Sequence, residues 1–175
     1  MMTQFSYNDL TPSLVVIIQN LLPTLQAQGL TFIPYYGLRP LSSQAILWRQ
    51  SRPTEEVQNQ IDTWRSQGCN CLADALDSVG PQEGPHVTDA LPGYSWHNWG
   101  QAVDCYYELD GQPCWDGDNP AYQTYARTAE GLGLTAGYNF TFKDPGHLQL
   151  QKEEIPTIYT PQQVNDYFAK FVNYA

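Results

Sequence analysis

Basic residues are scarce in this chain. Eight Lys and Arg stand against eighteen Asp and Glu, a formal net charge of −10. A nucleic-acid binder would show a basic footprint, so that class is excluded, and so is electrostatic capture by anionic lipid headgroups. No apolar run reaches the length of a membrane span. Met1–Leu10 is polar and lacks the basic-then-apolar order of a signal peptide. The expectation is a protein made in the cytoplasm that reaches any external target after export or lysis. No internal repeat and no low-complexity run is visible. The four cysteines, Cys69, Cys71, Cys105 and Cys114, do not have the spacing of a zinc ribbon or finger. Buried free thiols and one or two disulfides both remain open for them. Histidine is scarcer still, with His86, His97 and His147 alone, and no H-E-x-x-H occurs.

Aromatic residues are abundant, with five Trp and twelve Tyr in 175 residues. They suit a core, and also a groove that grips sugars or peptides. The length fits one domain over residues 1–175. Thr11-Pro12 opens a helix, and Leu14, Val15, Ile17, Ile18, Leu21, Leu22 and Leu25 give it a broad apolar face. Pro23 is expected to kink or break it, because proline cannot donate to the carbonyl four residues back. Thr31–Tyr36 is β-branched and aromatic, a strand made irregular or edge-like by Pro34. Ser42-Ser43 is expected to cap a helix to about Gln50, and Thr54 another. In the latter, Val57, Ile61 and Trp64 recur at helical spacing. A short helix over about Cys71–Ser78 follows, then a possible extended segment at Val87–Leu91. Gln101–Leu109 alternates as a strand and ends at the hairpin signal Asp110-Gly111. Alternation puts Asp104 and Tyr106 on one face and Val103 and Cys105 on the other. Asn119-Pro120 caps a further helix. Tyr138–Phe142 and Gly146–Leu150 are expected strands, with His147 and Gln149 sharing a face. Thr160-Pro161-Gln162-Gln163 is a capping box for a last helix with Val164, Phe168, Phe171 and Val172 on its apolar side. Helices interleaved with hairpin-joined strands predict an α+β fold, a small antiparallel sheet flanked by helices.

Two stretches carry the chemistry. Ser95-Trp96-His97-Asn98-Trp99-Gly100-Gln101-Ala102-Val103-Asp104 holds a histidine and a carboxylate seven apart. Asp144-Pro145-Gly146-His147 holds a carboxylate and a histidine three apart. Catalytic zinc takes three ligands from His and Asp/Glu and leaves a position open for water. His97, Asp104 and His147 supply such a set for one Zn2+. Asp144 is placed to move the proton of a hydrolytic water. The rigid fork of Arg39 suits a substrate carbonyl or carboxylate. Gln44, Ser95, Trp96 and Trp99 are further candidates for substrate contact, with Ser95 also placed to cap the turn or orient a ligand. His86 is expected in a solvated loop, and Asp116 and Asp118 in a solvated turn.

The first stretch resembles the S-x-H-x-x-G-x-A-x-D signature of the LAS zinc peptidases, matching at Ser95, His97, Gly100, Ala102 and Asp104. Asp144–His147 resembles the second motif of that group, and Arg39 followed by Gln44 its arginine segment. The group comprises D-alanyl-D-alanine carboxypeptidases and dipeptidases, L-alanyl-D-glutamate peptidases and the Hedgehog domain. The resemblance implies a Hedgehog/DD-peptidase-like fold, zinc on His97, Asp104 and His147, Asp144 as general base and Arg39 as substrate clamp. Aspartate rather than glutamate at position 144, with G-L-T-A-G-Y and F-K-D-P-G-H-L-Q-L, resembles the L-alanyl-D-glutamate branch. It further implies hydrolysis of peptidoglycan stem peptides, in the manner of an endolysin or a delivered effector with a holin-type or delivery partner. A D-alanyl-D-alanine carboxypeptidase or dipeptidase is the alternative enzyme. A zinc-bearing binding module, as in Hedgehog, is the alternative outside catalysis. Relative to that family pattern, residues about 53–85 look like a helical insertion.

Overall fold

The structure is a computed structural model that describes residues 5–172. In chain order the elements are α1 (Pro12–Gln26), β1 (Thr31–Tyr36), α2 (Leu41–Arg49), α3 (Thr54–Ser66), α4 (Asn70–Asp77), β2 (Ala102–Leu109), β3 (Gln112–Cys114), α5 (Pro120–Gly131), β4 (Thr135–Ala136), β5 (His147–Gln149), α6 (Ile155–Ile158) and α7 (Pro161–Val172). The fold is α+β, as the sequence implied. Among the described residues no helix is long and apolar enough to cross a membrane. Residues 1–4 of the polar N-terminal stretch, and the Val172 side chain expected on the apolar side of α7, lie outside the described residues.

The chain forms two compact units. The first, residues 1–38 and 99–152, contains the sheet. All its pairings are antiparallel, in the order β1-β2-β5-β4, with β3 pairing β2 as a hairpin. Asp110 and Gly111 both have positive φ, 52° and 74°, the backbone that a two-residue hairpin turn demands. One face of the sheet is apolar: Phe32, Val103, Cys105, Ala136 and Leu148 pack with Leu14, Ile18, Leu21 and Leu25 of α1 and with Tyr122, Tyr125, Ala126 and Ala129 of α5. The opposite face of β2 carries Asp104 and Tyr106. The Asn119 side chain accepts from Ala121 N at 3.0 Å and starts α5.

The second unit, whose described residues are 39–98 and 153–172, is helical. Val57, Ile61 and Trp64 of α3 are buried, as are Leu72, Ala73 and Leu76 of α4 and Val164 and Phe168 of α7. Asn165 of α7 accepts from Cys71 N at 2.9 Å, satisfying a donor at the start of α4. The capping box at α7 is reciprocal, with Gln163 N on Thr160 Oγ1 at 3.3 Å and Thr160 N on Gln163 Oε1 at 2.8 Å.

Several expectations are corrected. Pro23 does not break α1, which continues to Gln26. Leu21 and Leu25 on either side are fully buried, and their packing outweighs one lost backbone bond. Tyr138–Phe142 is not a strand: Gly137–Asn139 is a 3-10 turn, and the strand before it is the two-residue β4. Val87–Leu91 has no regular structure. Pro40 and Pro53, not Ser42-Ser43 and Thr54, occupy the N-caps of α2 and α3. A proline pre-set in extended backbone starts a helix without a side-chain acceptor. Phe171 is 57% exposed and so lies off the apolar side of α7.

Candidate metal centre

β2 and β5 pair with Asp104 directly opposite His147 and Ala102 opposite Gln149. Two residues far apart in sequence thus become cross-strand neighbours on the face turned away from the apolar core. His147 Nδ1 lies 3.0 Å from Asp104 Oδ1. Two ligands bound tetrahedrally to one zinc ion, each about 2.0–2.1 Å from it, would be about 3.3 Å apart. The other ring nitrogen, Nε2, lies 3.0 Å from Gln149 Oε1, while Gln149 Nε2 donates to Gln151 O at 2.7 Å. The second bond turns the amide oxygen towards the ring. Nε2 therefore carries a proton, and Nδ1 is the atom presented to Asp104. Burial alone pushes the His147 pKa down, but the hydrogen bond and charge of Asp104, with Gln149 and the charge of Asp144, outweigh it and raise the pKa. The place between Nδ1 and the carboxylate favours a cation.

His97 reaches the site from a 3-10 turn, Trp96–Trp99. Ser95 caps this turn: Asn98 N donates to its carbonyl at 2.9 Å and His97 N to its hydroxyl at 3.4 Å. Asn98 is buried and ties the segment together. Its Oδ1 accepts from Gly93 N at 3.0 Å and Ser95 N at 3.4 Å, and its Nδ2 donates to Arg39 O at 2.8 Å. Arg39 N in turn donates to His97 O at 3.0 Å. Gly100, between the turn and β2, has φ +65°, and a Cβ there would lie 2.7 Å from Asp9 O. No other residue fits that corner.

Ligand atoms of His97, Asp104 and His147 all lie within 4.8 Å of one another, and all three residues are buried. Two imidazoles and one carboxylate are the donor set of a catalytic zinc site, with a coordination position left for water. Buried donors of this kind, converging within 4.8 Å, fit a bound metal ion.

Asp144 opens a tight turn closed by His147 N on Asp144 O at 3.1 Å, and its own N–H donates to Gly137 O at 2.9 Å. The three-residue spacing read in the sequence is thus one β-turn. A Cβ on Gly137 would stand 2.5 Å from Asp144 O and 2.9 Å from His147 Cβ, so the turn seats directly on a glycine. The Asp144 residue is exposed, and its charge contributes to the raised pKa of His147 and of Tyr35.

Other candidates sit differently from expectation. Gln44 is fully buried. It accepts from Arg39 Nη1 at 2.9 Å and donates to Ala90 O at 2.7 Å. It therefore orients Arg39 and does not face a substrate. Trp96 and Trp99 are 5% and 9% exposed, and Trp96 Nε1 donates to Glu153 O at 3.1 Å. Both are packed residues with little surface to offer. His86 is exposed beside Asp89, at 3.2 Å. Asp118 pairs with Lys143 at 3.0 Å. All four cysteines are free thiols, and burial, the largest cause, pushes Cys105 up to about 12. Sequence reasoning passed over Gln149 and Asn98. The available signal for Gln149 was its place two residues after a ligand, on the ligand's own face.

Residues 8–143 match the VanY family, D-alanyl-D-alanine carboxypeptidase. Among solved structures, the vancomycin-resistance D,D-pentapeptidase VanY of a VanB-type cassette, a point mutant in complex with Zn(II), is 18% identical with a TM-score of 0.50. That alignment covers 96% of this chain and 89% of that one. VanYB in complex with D-alanine-D-alanine is 18% identical with a TM-score of 0.49, covering 99% and 88%. The L-Ala D-Glu endopeptidase ChiX of Serratia marcescens is 18% identical with a TM-score of 0.47, covering 86% and 91%. No curated protein sequence matches. The family match spans well over half of the chain, and the VanB-type structure shares its fold. On that ground the chain belongs to the VanY family, D-alanyl-D-alanine carboxypeptidase.

Proposed function

We propose that this chain hydrolyses the stem peptides of peptidoglycan with one zinc ion held by His97, Asp104 and His147, and that the bond it cleaves joins L-alanine to D-glutamate. The observation that carries the reading is the convergence of three buried donors, within 4.8 Å of one another, one β-turn after the carboxylate of Asp144. When bound there, zinc polarises a substrate carbonyl and lowers the pKa of a coordinated water towards neutrality.

The remaining work falls to side chains. Asp104 and His147 oppose each other across two strands, so the sheet sets their separation. Gln149 holds the proton on His147 Nε2 and keeps Nδ1 available as a donor. Asp144 accepts the proton of the attacking water at its carboxylate and returns it to the leaving amine nitrogen. Its exposure lets it exchange that proton with substrate. Gln44 fixes the plane of the Arg39 guanidinium, so the fork meets a substrate carbonyl or carboxylate in one orientation. The backbone link from Arg39 to His97 couples that fork to the metal turn.

The aspartate at position 144 supports the alanyl-glutamate bond through the motif resemblance. The family match favours a second reading, removal of a terminal D-alanine. Purified protein incubated with muropeptides, with and without chelator, separates them by product mass. Chelator-sensitive cleavage between alanine and glutamate is expected. Loss of terminal alanine alone would select the second reading, and cleavage that persists without metal would sink both.

A further inference from the structure

Three aromatic rings on the metal face of the sheet take no part in the chemistry above. Tyr35 belongs to β1, Tyr106 to β2, and Trp115 follows β3. Their ring centroids lie 5.2 Å (Tyr35–Trp115), 5.3 Å (Tyr106–Trp115) and 6.0 Å (Tyr35–Tyr106) apart. Trp115 is 62% and Tyr35 36% exposed. The core lies on the other face of the sheet, so packing explains none of this exposure. Clustered apolar surface left in water marks a binding site more often than an isolated exposed side chain does.

Three observations join the cluster to the metal centre. Asp104 and Tyr106 are two residues apart on one face of β2, about 7 Å along the strand. The pairing of β1 with β2 shifts register between Pro34 and Tyr36. Tyr35 is the inserted residue, and bulges re-aim side chains in this way beside active sites. The Tyr35 phenol is near the charges of both Asp104 and Asp144. With burial as the larger cause, they raise its pKa and keep it a protonated hydrogen-bond donor.

We propose that Tyr35, Tyr106 and Trp115 form a subsite for an N-acetylated sugar ring of the glycan strand, so that the enzyme takes stem peptides still attached to their sugar. The proposal rests on the reading that the L-alanyl-D-glutamate bond is cleaved. A pyranose offers an apolar C–H face to the negative face of an aromatic ring and keeps its equatorial hydroxyls in water. Half-exposed rings suit such a ligand better than they suit an apolar peptide, which would need a closed pocket. A neutral sugar also escapes the repulsion that a chain of net charge −10 exerts on anionic polymers. The reach agrees: one alanyl and one lactyl unit separate the scissile carbonyl from the sugar, about 7 Å at about 3.5 Å per unit. A terminal D-alanyl bond lies three residues further out, about 10 Å more, and would carry the sugar past the cluster.

The test compares two soluble substrates with the same stem, one bearing the N-acetylglucosaminyl-N-acetylmuramyl disaccharide and one with an acetylated N-terminus and no sugar. The zinc-loaded full chain should show kcat/KM about tenfold higher for the first. Trp115→Ala should bring the ratio of the two to about one, Trp115→Phe should restore most of it, and the remote surface variant Val16→Ala should keep it. A ratio near one in the wild type, or a high ratio that survives Trp115→Ala, overturns the proposal. Titration with the N-acetylglucosamine trisaccharide gives a second readout independent of turnover. The indole N–H resonance of Trp115, assigned by its loss in Trp115→Ala, should shift on addition. If neither substrate is cut between alanine and glutamate, the reading of the bond fails and this titration decides alone: a shift upholds the sugar subsite, and no shift at millimolar saccharide overturns it.

Discussion

Removing the Gln149 amide should weaken metal binding more than folding. With Gln149→Ala, His147 Nε2 loses its acceptor, the proton is free to move to Nδ1, and the ring can rotate away from Asp104. Loss of such a partner lowers metal affinity by about 10–100-fold. Gln149→Glu keeps an acceptor in place and should hold affinity within a few-fold of wild type. Competition against a chromophoric chelator measures both, and equal losses in the two variants would show that volume, not tautomer control, is what matters. Asp144→Asn makes the opposite split: zinc content unchanged, turnover of muropeptides down by about 10²–10⁴-fold. Loss of zinc in that variant would make Asp144 a ligand and not a base. The difference between these residues also explains what could be read in advance. His97, Asp104, His147 and Asp144 declare their chemistry by residue type and spacing. An amide does not: Gln149, Asn98 and Gln44 acquire their roles from the atoms beside them. Gln44 thus reads in the sequence as a substrate contact although in the fold it serves Arg39, and nothing in residue type alone marks Gln149 or Asn98.

Among elements, β2 was legible nearly residue by residue, because strict alternation has one solution once Val103 and Cys105 are apolar and Asp104 is not. The Asp110-Gly111 turn and the Thr160 capping box were legible for the same reason: local chemistry alone fixes them. Tyr138–Phe142 was not. Its aromatic content suggests a strand, but the backbone there is spent on receiving the Asp144 turn against Gly137, a contact invisible to local pattern. α1 shows the same override. Pro23 sits exposed in the last turn, tolerated because Leu21 and Leu25 anchor the helix on the opposite side. Proline inside a helix costs about 3 kcal/mol, of which roughly 1 kcal/mol is returned by its stiffening of the unfolded chain. Pro23→Ala should accordingly stabilise the protein by about 1–2 kcal/mol. For a chain of this size that is a rise in Tm of about 2–8 °C. A thermal melt of metal-loaded protein checks it, and an unchanged or lower Tm would show that the end of α1 is already relaxed around the ring.

The whole molecule carries a net charge of −10, while the proposed substrate is embedded in a wall rich in carboxylates and phosphates. Like charges at long range slow encounter, and the effect is strongest when the Debye length is long, about 30 Å at 0.01 M salt against about 8 Å at 0.15 M. The chemistry itself lies among buried donors and is screened far less. Salt should therefore act on arrival and not on turnover. Digestion of intact sacculi should accelerate several-fold as ionic strength rises from about 0.01 to 0.15 M. Cleavage of a small soluble muropeptide with the same stem should change by less than about twofold, because it brings few charges with it. Measuring both substrates across the same salt series separates the two steps. A sacculus rate that falls with salt would mean that a local basic patch, and not the net charge, governs approach. Lys143 lies close enough to Asp144 in the chain to be the first residue to test, although its pairing with Asp118 at 3.0 Å already offsets its charge. A parallel rise for both substrates would place the salt effect in the active site instead of in the encounter.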